Sequence, residues 1–190
     1  MKTVSLVLAF VLAISAQAVV GQQKKVDTEK SKIVWTGKKV TGSHTGEIKL
    51  KSGELELKGG DIVKGNFVVD MKSITDTDLT DEGMNQKLVG HLKSDDFFGV
   101  EKFPTSTLNI KKATKFANGK ASVTGDLTVK GKTEEITFDV VKSSNNTYTS
   151  KVEIDRSKFD VRYGSNTFFD NLGNKAIDNI FTLDITVVTL

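Results

Sequence analysis

The chain reads as an all-β antiparallel domain, a closed barrel or a two-sheet sandwich of roughly eight to ten short strands. Apolar and polar residues alternate with a period of two from Lys32 almost to the C-terminus, the spacing of a strand with one face buried. Reversal signals separate the alternating runs, at Gly59-Gly60-Asp61, Asn118-Gly119 and Lys130-Gly131-Lys132. Only residues 88–104 leave that pattern for helical spacing and then stop at Pro104, the one proline in the chain.

Composition narrows the function classes. With 190 residues, 37% hydrophobic, 27% charged and a net charge of +3, one domain with its own core is expected. The small basic excess is dispersed among acids along strand faces, so no concentrated patch for nucleic acid is formed. There is no cysteine, which removes disulfides, thiolate metal sites, cysteine nucleophiles and a lipidated N-terminal cysteine together.

Taken in order, the chain starts with the marks of a secretory signal peptide over residues 1–18. Lys2 gives a positive n-region, residues 4–14 are apolar apart from Ser5, and Ala16-Gln17-Ala18 is a small-x-small cleavage site, with a cut as late as Gly21 as the alternative. The expected domain, residues 22–190, is exported to the periplasm or secreted. No other segment approaches membrane-spanning length.

From Lys32, Ile33 and Trp35 alternate with Val34 and Thr36. GEIKL (residues 46–50) and GELEL (53–57) then read as two half-buried strands. After the Gly59-Gly60 turn, Phe67, Val69 and Met71 share one face. Residues 75–83, with four acids among nine, read as a loop. In the central stretch Leu88 and Leu92 are one helical turn apart and leave Lys87, His91 and Lys93 toward water. Ser94, followed by Asp95 and Asp96, has the form of an N-cap for a second helical turn carrying Phe97, Phe98 and Val100. One or two short helices of this kind close an end of a barrel or sandwich.

After Pro104 the alternation returns. Leu108 and Ile110 oppose Thr107 and Asn109. Val123, Gly125, Leu127 and Val129 face Ile136, Phe138 and Val140 across the Lys130-Gly131-Lys132 turn, and strands over residues 148–154 and 181–187 complete the series. Residues 156–175 depart from a plain meander and form a connection too long for an ordinary hairpin. It carries Arg162, Tyr163, Phe168 and Phe169, which either line the mouth of a barrel or pack over its end.

Chemistry has little to work with. His91 near Asp95 and Asp96, or His44 beside Glu47, has the residue types of an acid–base pair, but capping and surface solvation produce the same pattern; no enzyme is expected. The two histidines form no close pair, and Asp76, Asp78, Asp81 and Glu82 lack the glycine and terminal glutamate of a calcium loop, so neither metal nor cofactor is expected.

Two segments carry a family resemblance. TGDLTVKGKTEEITFDV (residues 124–140) and HLKSDDFFGVEKFPTSTL (91–108) resemble, in order and spacing, the signatures of the YceI-like, polyisoprenoid-binding family. Residues 27–35, 68–77 and 154–159 agree with three further family segments. The resemblance implies an antiparallel lipocalin-like barrel of about eight strands whose apolar interior holds an isoprenoid, a polyprenyl lipid or a quinone. It places Trp35, Phe67, Val69, Met71, Leu127, Val129, Phe138 and Val140 on the inward face. Leu88, Leu92, Phe97 and Phe98 would close one end, with His91, Arg162, Tyr163, Phe168 and Phe169 at the mouth. The competing expectation is an exported sandwich with a solid core that acts as an interaction or adhesion module. The residue pattern does not separate a filled barrel from a hollow one, nor a monomer from a two-fold homodimer.

Overall fold

The computed structural model describes residues 21–190, so the signal-peptide reading of residues 1–18 lies outside the described residues. The described residues hold nine strands and one α-helix: β1 (Gln22–Lys25), β2 (Lys32–Lys39), β3 (Gly42–Lys58), β4 (Asp61–Asp70), α1 (Glu82–Lys93), β5 (Thr105–Ala113), β6 (Lys120–Val129), β7 (Lys132–Lys142), β8 (Thr147–Asp155) and β9 (Ile180–Val188). Every pairing is antiparallel. Strands β2 to β9 form a ring in the order β3-β2-β9-β8-β7-β6-β5-β4, and β3 closes it by pairing with β4. The fold is therefore a closed eight-stranded barrel, not a sandwich; β1 adds to one end of β3.

The ring closes because β3 is long enough to serve two neighbours. The two strands expected over residues 46–50 and 53–57 are one continuous strand of 17 residues. Its first half pairs with β2 from Gly42 to Ile48, and its second half pairs with β4 from Lys49 to Lys58. A bulge between Leu50 and Ser52 changes the phase of the alternation. Ile48 and Leu50 point inward before it, and Leu55 and Leu57 point inward after it. One extra residue thus keeps both halves facing the core while bending the strand round the barrel.

Three hairpins turn in two residues with positive φ, at Gly59-Gly60 (62° and 89°), Asn118-Gly119 (52° and 77°) and Lys130-Gly131 (49° and 73°). Positive φ at both central positions matches the right-handed twist of the strands they join. The seam between β7 and β8 is the exception to continuous pairing: only Val141–Thr149 and Lys142–Tyr148 are in register there, against ten pairs between β6 and β7.

The helix differs from expectation. α1 starts inside the acid-rich run read as a loop, where the Asp81 side chain accepts from the Met84 N–H at 2.8 Å and Glu82 lies in the first turn. Ser94 ends this helix instead of starting another. Its N–H and its hydroxyl both donate to the His91 carbonyl, at 3.1 Å and 2.8 Å. The residues after it form tight turns, with Gly99 at φ 59° accommodating the reversal. Phe97, Phe98 and Val100 are buried nonetheless, and with Leu92 they cover one end of the barrel.

Candidate functional site

The inward faces do not meet in the middle. Two cavities of about 120 Å³ and 140 Å³ lie inside the barrel, each roughly ten times what one water molecule requires. They share Ile33, Val69, Leu127, Ile154 and Leu183 as walls and so adjoin along one elongated interior, the lumen, with these side chains standing between them as a waist. The solid core expected of the interaction module is not what the chain builds.

The lower cavity is walled by Leu50, Leu55, Ile62, Phe67, Leu108, Ile110, Ile136, Phe138, Val140, Tyr148, Val152 and Val187. Thr149, Ser150 and Ile185 belong both to this cavity and to an outer groove that holds Lys120, Asp139 and Lys151. The short β7–β8 seam, with two paired positions, thus borders the region where the inner cavity and the outer groove share residues.

The upper cavity is walled by Trp35, Ile48, Met71, Ile74, Leu92, Phe97, Phe98, Val129, Ile177 and Phe181. Phe97 and Phe98 meet edge to face with centroids 5.0 Å apart, and Phe98 meets Phe181 at 6.4 Å. Trp35 is held by its indole N–H, which donates to the Thr75 carbonyl at 2.9 Å. A Cβ on Gly46 would run into that same carbonyl and into the Trp35 ring, so Gly46 permits the close approach of residues 75–77 to β3.

Of the inward positions the sequence suggests, all line the lumen except Leu88, which is half-buried and packs against the core from α1. The mouth residues lie elsewhere. Arg162 pairs with Asp160 at 2.6 Å and sits over the Phe168 ring. Tyr163, Phe168 and Phe169 are 48%, 37% and 49% exposed, and the Tyr163 ring stacks edge-on against His91 at 4.3 Å. None of these five walls either cavity. The long connection covers the outside of the α1 end.

Sequence reading missed Arg156, which follows Asp155 at a strand end and resembles a surface pair. It is 2% exposed and forms part of the upper cavity wall. Its guanidinium donates to three backbone carbonyls, Asp178 at 3.0 Å, Val161 at 2.8 Å and Ile177 at 3.0 Å, and lies over the Phe97 ring at 5.4 Å. No carboxylate forms an ion pair with it among the described residues. Burial lowers its pKa, and nearby Asp155 and Asp178 oppose that shift; a guanidinium stays charged all the same. The three carbonyls use three of its five N–H donors.

Tyr148 was missed as well. It is 3% exposed and its hydroxyl has no hydrogen-bond partner, and burial raises its pKa above the ordinary 10.0.

At the outer edge of the α1 end, the fold brings His44 to Asp78, not to Glu47. The imidazole Nδ1 lies 3.1 Å from Asp78 Oδ2, and the Thr45 N–H donates to Asp78 Oδ1 at 2.8 Å. Burial pushes the Asp78 carboxyl up, but the hydrogen bonds from the Thr45 N–H, Asp76 and His44 outweigh it and hold it below 3.8. Asp76, buried beside it, is raised, with burial as the largest cause.

The model of the YceI-like domain family matches residues 25–189. The chain belongs to the YceI-like family. Among curated proteins, this YceI-like chain is 46% identical to a UPF0312 protein of Staphylococcus aureus over 56 residues, 30% of each chain. It is 37% identical to a UPF0312 protein of Vibrio campbellii over 82 residues, 40% of this chain and 43% of that one. The matched segments thus span less than half the length of these relatives. Among solved structures, BcnA of Burkholderia cenocepacia superposes with a TM-score of 0.71 at 23% identity, over 87% of this chain and 99% of that one. A polyisoprenoid binding domain from Saccharophagus degradans gives 0.59 at 12% identity, over 87% and 97%. The Campylobacter jejuni YceI protein gives 0.55 at 19%, over 100% and 99%. At these identities the structures establish a shared barrel fold.

Proposed function

We propose that this protein is an exported carrier that holds one isoprenoid chain, a polyprenyl lipid or a quinone, in the lumen of its barrel. The observation that carries the reading is the pair of adjoining, almost wholly apolar cavities inside the barrel. Its walls offer an extended hydrocarbon about 0.8 kcal/mol per buried methylene and ask for no catalytic group. The polar head sits at the upper end, where the Arg156 guanidinium supplies the one buried cation of the lumen wall among the described residues. The tail runs past the Leu127 waist toward Tyr148. The name of the Saccharophagus degradans neighbour, a polyisoprenoid binding domain, supports the ligand class. The leader-like residues 1–18 support an aqueous compartment outside the cytoplasm, and among the described residues no helix is long and apolar enough to cross a membrane.

Trp35, the only tryptophan, walls the upper cavity and serves as a reporter. Titration with a polyprenyl quinone is expected to quench its fluorescence saturably with one quinone per chain, and Phe138→Glu is expected to abolish the quenching in a variant that still folds. Linear, non-saturating quenching that is the same in both proteins would refute the proposal.

A further inference from the structure

Outside the lumen, one cluster of metal-ligating side chains has a donor that the fold leaves unused. Asp76 is 7% exposed. Its Oδ1 accepts from the Leu79 N–H at 2.9 Å and from the Asn85 side-chain amide at 3.1 Å, whereas Oδ2 is buried and has no partner unless Asp76 and Asp78 share a proton. One donor atom each from Asp76, Asp78 and His44 lie within 4.8 Å of one another. A buried carboxylate oxygen without a partner is costly, so its retention calls for something to meet it. We infer that His44, Asp76 and Asp78 bind a divalent transition-metal ion of the zinc type, through one imidazole nitrogen and two carboxylate oxygens.

The scaffold suits this. The Thr75 N–H donates to Glu47 and the Thr77 N–H to Thr45, both at 2.9 Å, which lays residues 75–77 along β3 as an extended edge. In such a segment side chains two apart share a side, and this brings Asp76 and Asp78 together beside His44. Donors 2.0–2.2 Å from a tetrahedral ion stand about 3.3 Å apart. The His44–Asp78 pair already has that spacing at 3.1 Å, and no separation exceeds 4.8 Å, so binding asks for a closure of at most about 1.5 Å. Three protein ligands leave a fourth position for water, and the imidazole selects zinc-like ions over calcium or magnesium. The His44 and Asp78 side chains are 29% and 34% exposed, which gives the ion a path in from solvent.

The other way to satisfy Asp76 Oδ2 is a proton shared with Asp78, and Asp76→Asn separates the two. An asparagine still accepts through Oδ1 and donates an amide toward Asp78, so it preserves a proton-like contact and the fold while removing a metal ligand. The experiment is calorimetric titration of the tag-free, chelator-stripped full chain with zinc chloride, together with cobalt(II) absorption spectra. Wild type is expected to bind one zinc ion, with at least about 30-fold weaker binding in both Asp76→Asn and His44→Gln. The cobalt complex should show an intense visible band that both variants lose. His44→Gln, at the exposed side, decides alone if Asp76→Asn does not fold. Zinc binding of equal strength in folded variants, calcium taken in preference to zinc, or no binding by folded wild type would each overturn the assignment.

Discussion

Leu127 is the residue to perturb first, because it walls both cavities at the waist of the lumen. Leu127→Trp fills that waist without introducing charge and confines any ligand to one cavity. An isoprene unit has five carbons, so each unit shut out forfeits up to about 4 kcal/mol at about 0.8 kcal/mol per carbon. That corresponds to roughly a thousand-fold in Kd. The new ring enters existing empty space, so overpacking should cost no more than about 2 kcal/mol, or about 8 °C in Tm for a chain of this size. The assay is equilibrium binding of quinones that share a head and differ in tail length. In wild type, affinity rises with each added isoprene unit until the lumen is full; in Leu127→Trp it stops rising once the tail reaches the waist. If the folded variant keeps the wild-type tail dependence, the ligand does not thread the lumen, and the reasoning fails.

Three further outcomes follow from the same geometry. Arg156→Met leaves three carbonyls, one buried and two part-buried, without their donor and is expected to cost roughly 3 kcal/mol; in binding assays it should weaken a polar-headed isoprenoid more than an unfunctionalised hydrocarbon of equal length. Tyr148→Phe removes a buried hydroxyl that has no partner, so its stability at neutral pH should match or exceed wild type in denaturant melts. At high pH the two should diverge further: the folded phenol is raised above 10.0, so its contribution is intact below 10.0 and is lost as pH rises through the folded value, a loss that phenylalanine escapes. Gly46→Ala drives a methyl into the Thr75 carbonyl and the Trp35 ring. It should lower Tm by several degrees and change the Trp35 emission maximum, because residues 75–77 and the indole must separate.

The strands were legible because burial on one face writes itself as a period of two, and the three tight turns because each carries a glycine at its second positive-φ position, at Gly60, Gly119 and Gly131. The phase change within β3 was not, since a bulge at Lys51 looks from the sequence like a break between GEIKL and GELEL. The start of α1 was hidden for a related reason. Asp76, Asp78, Asp81 and Glu82 make the segment look solvated, although Asp81 is the cap and Glu82 the first turn. Of the interior positions expected from the sequence, all but Leu88 wall the lumen, but alternation could not reveal a lumen, because a period of two says which face is inward and not whether opposite walls touch. Arg156 escaped notice because its partners are backbone carbonyls of residues 161, 177 and 178, which no side-chain pattern records. His44 and Asp78 are 34 residues apart in the chain and meet only through the pairing of residues 75–77 with β3.

Native mass spectrometry with organic extraction, on protein expressed from the full 190-residue sequence, tests the central claim most directly. A stoichiometric added mass that extracts as a polyprenyl lipid or quinone, and that is missing from folded Phe138→Glu, is the predicted result. A bare chain that remains bare after incubation with isoprenoids would contradict the carrier account.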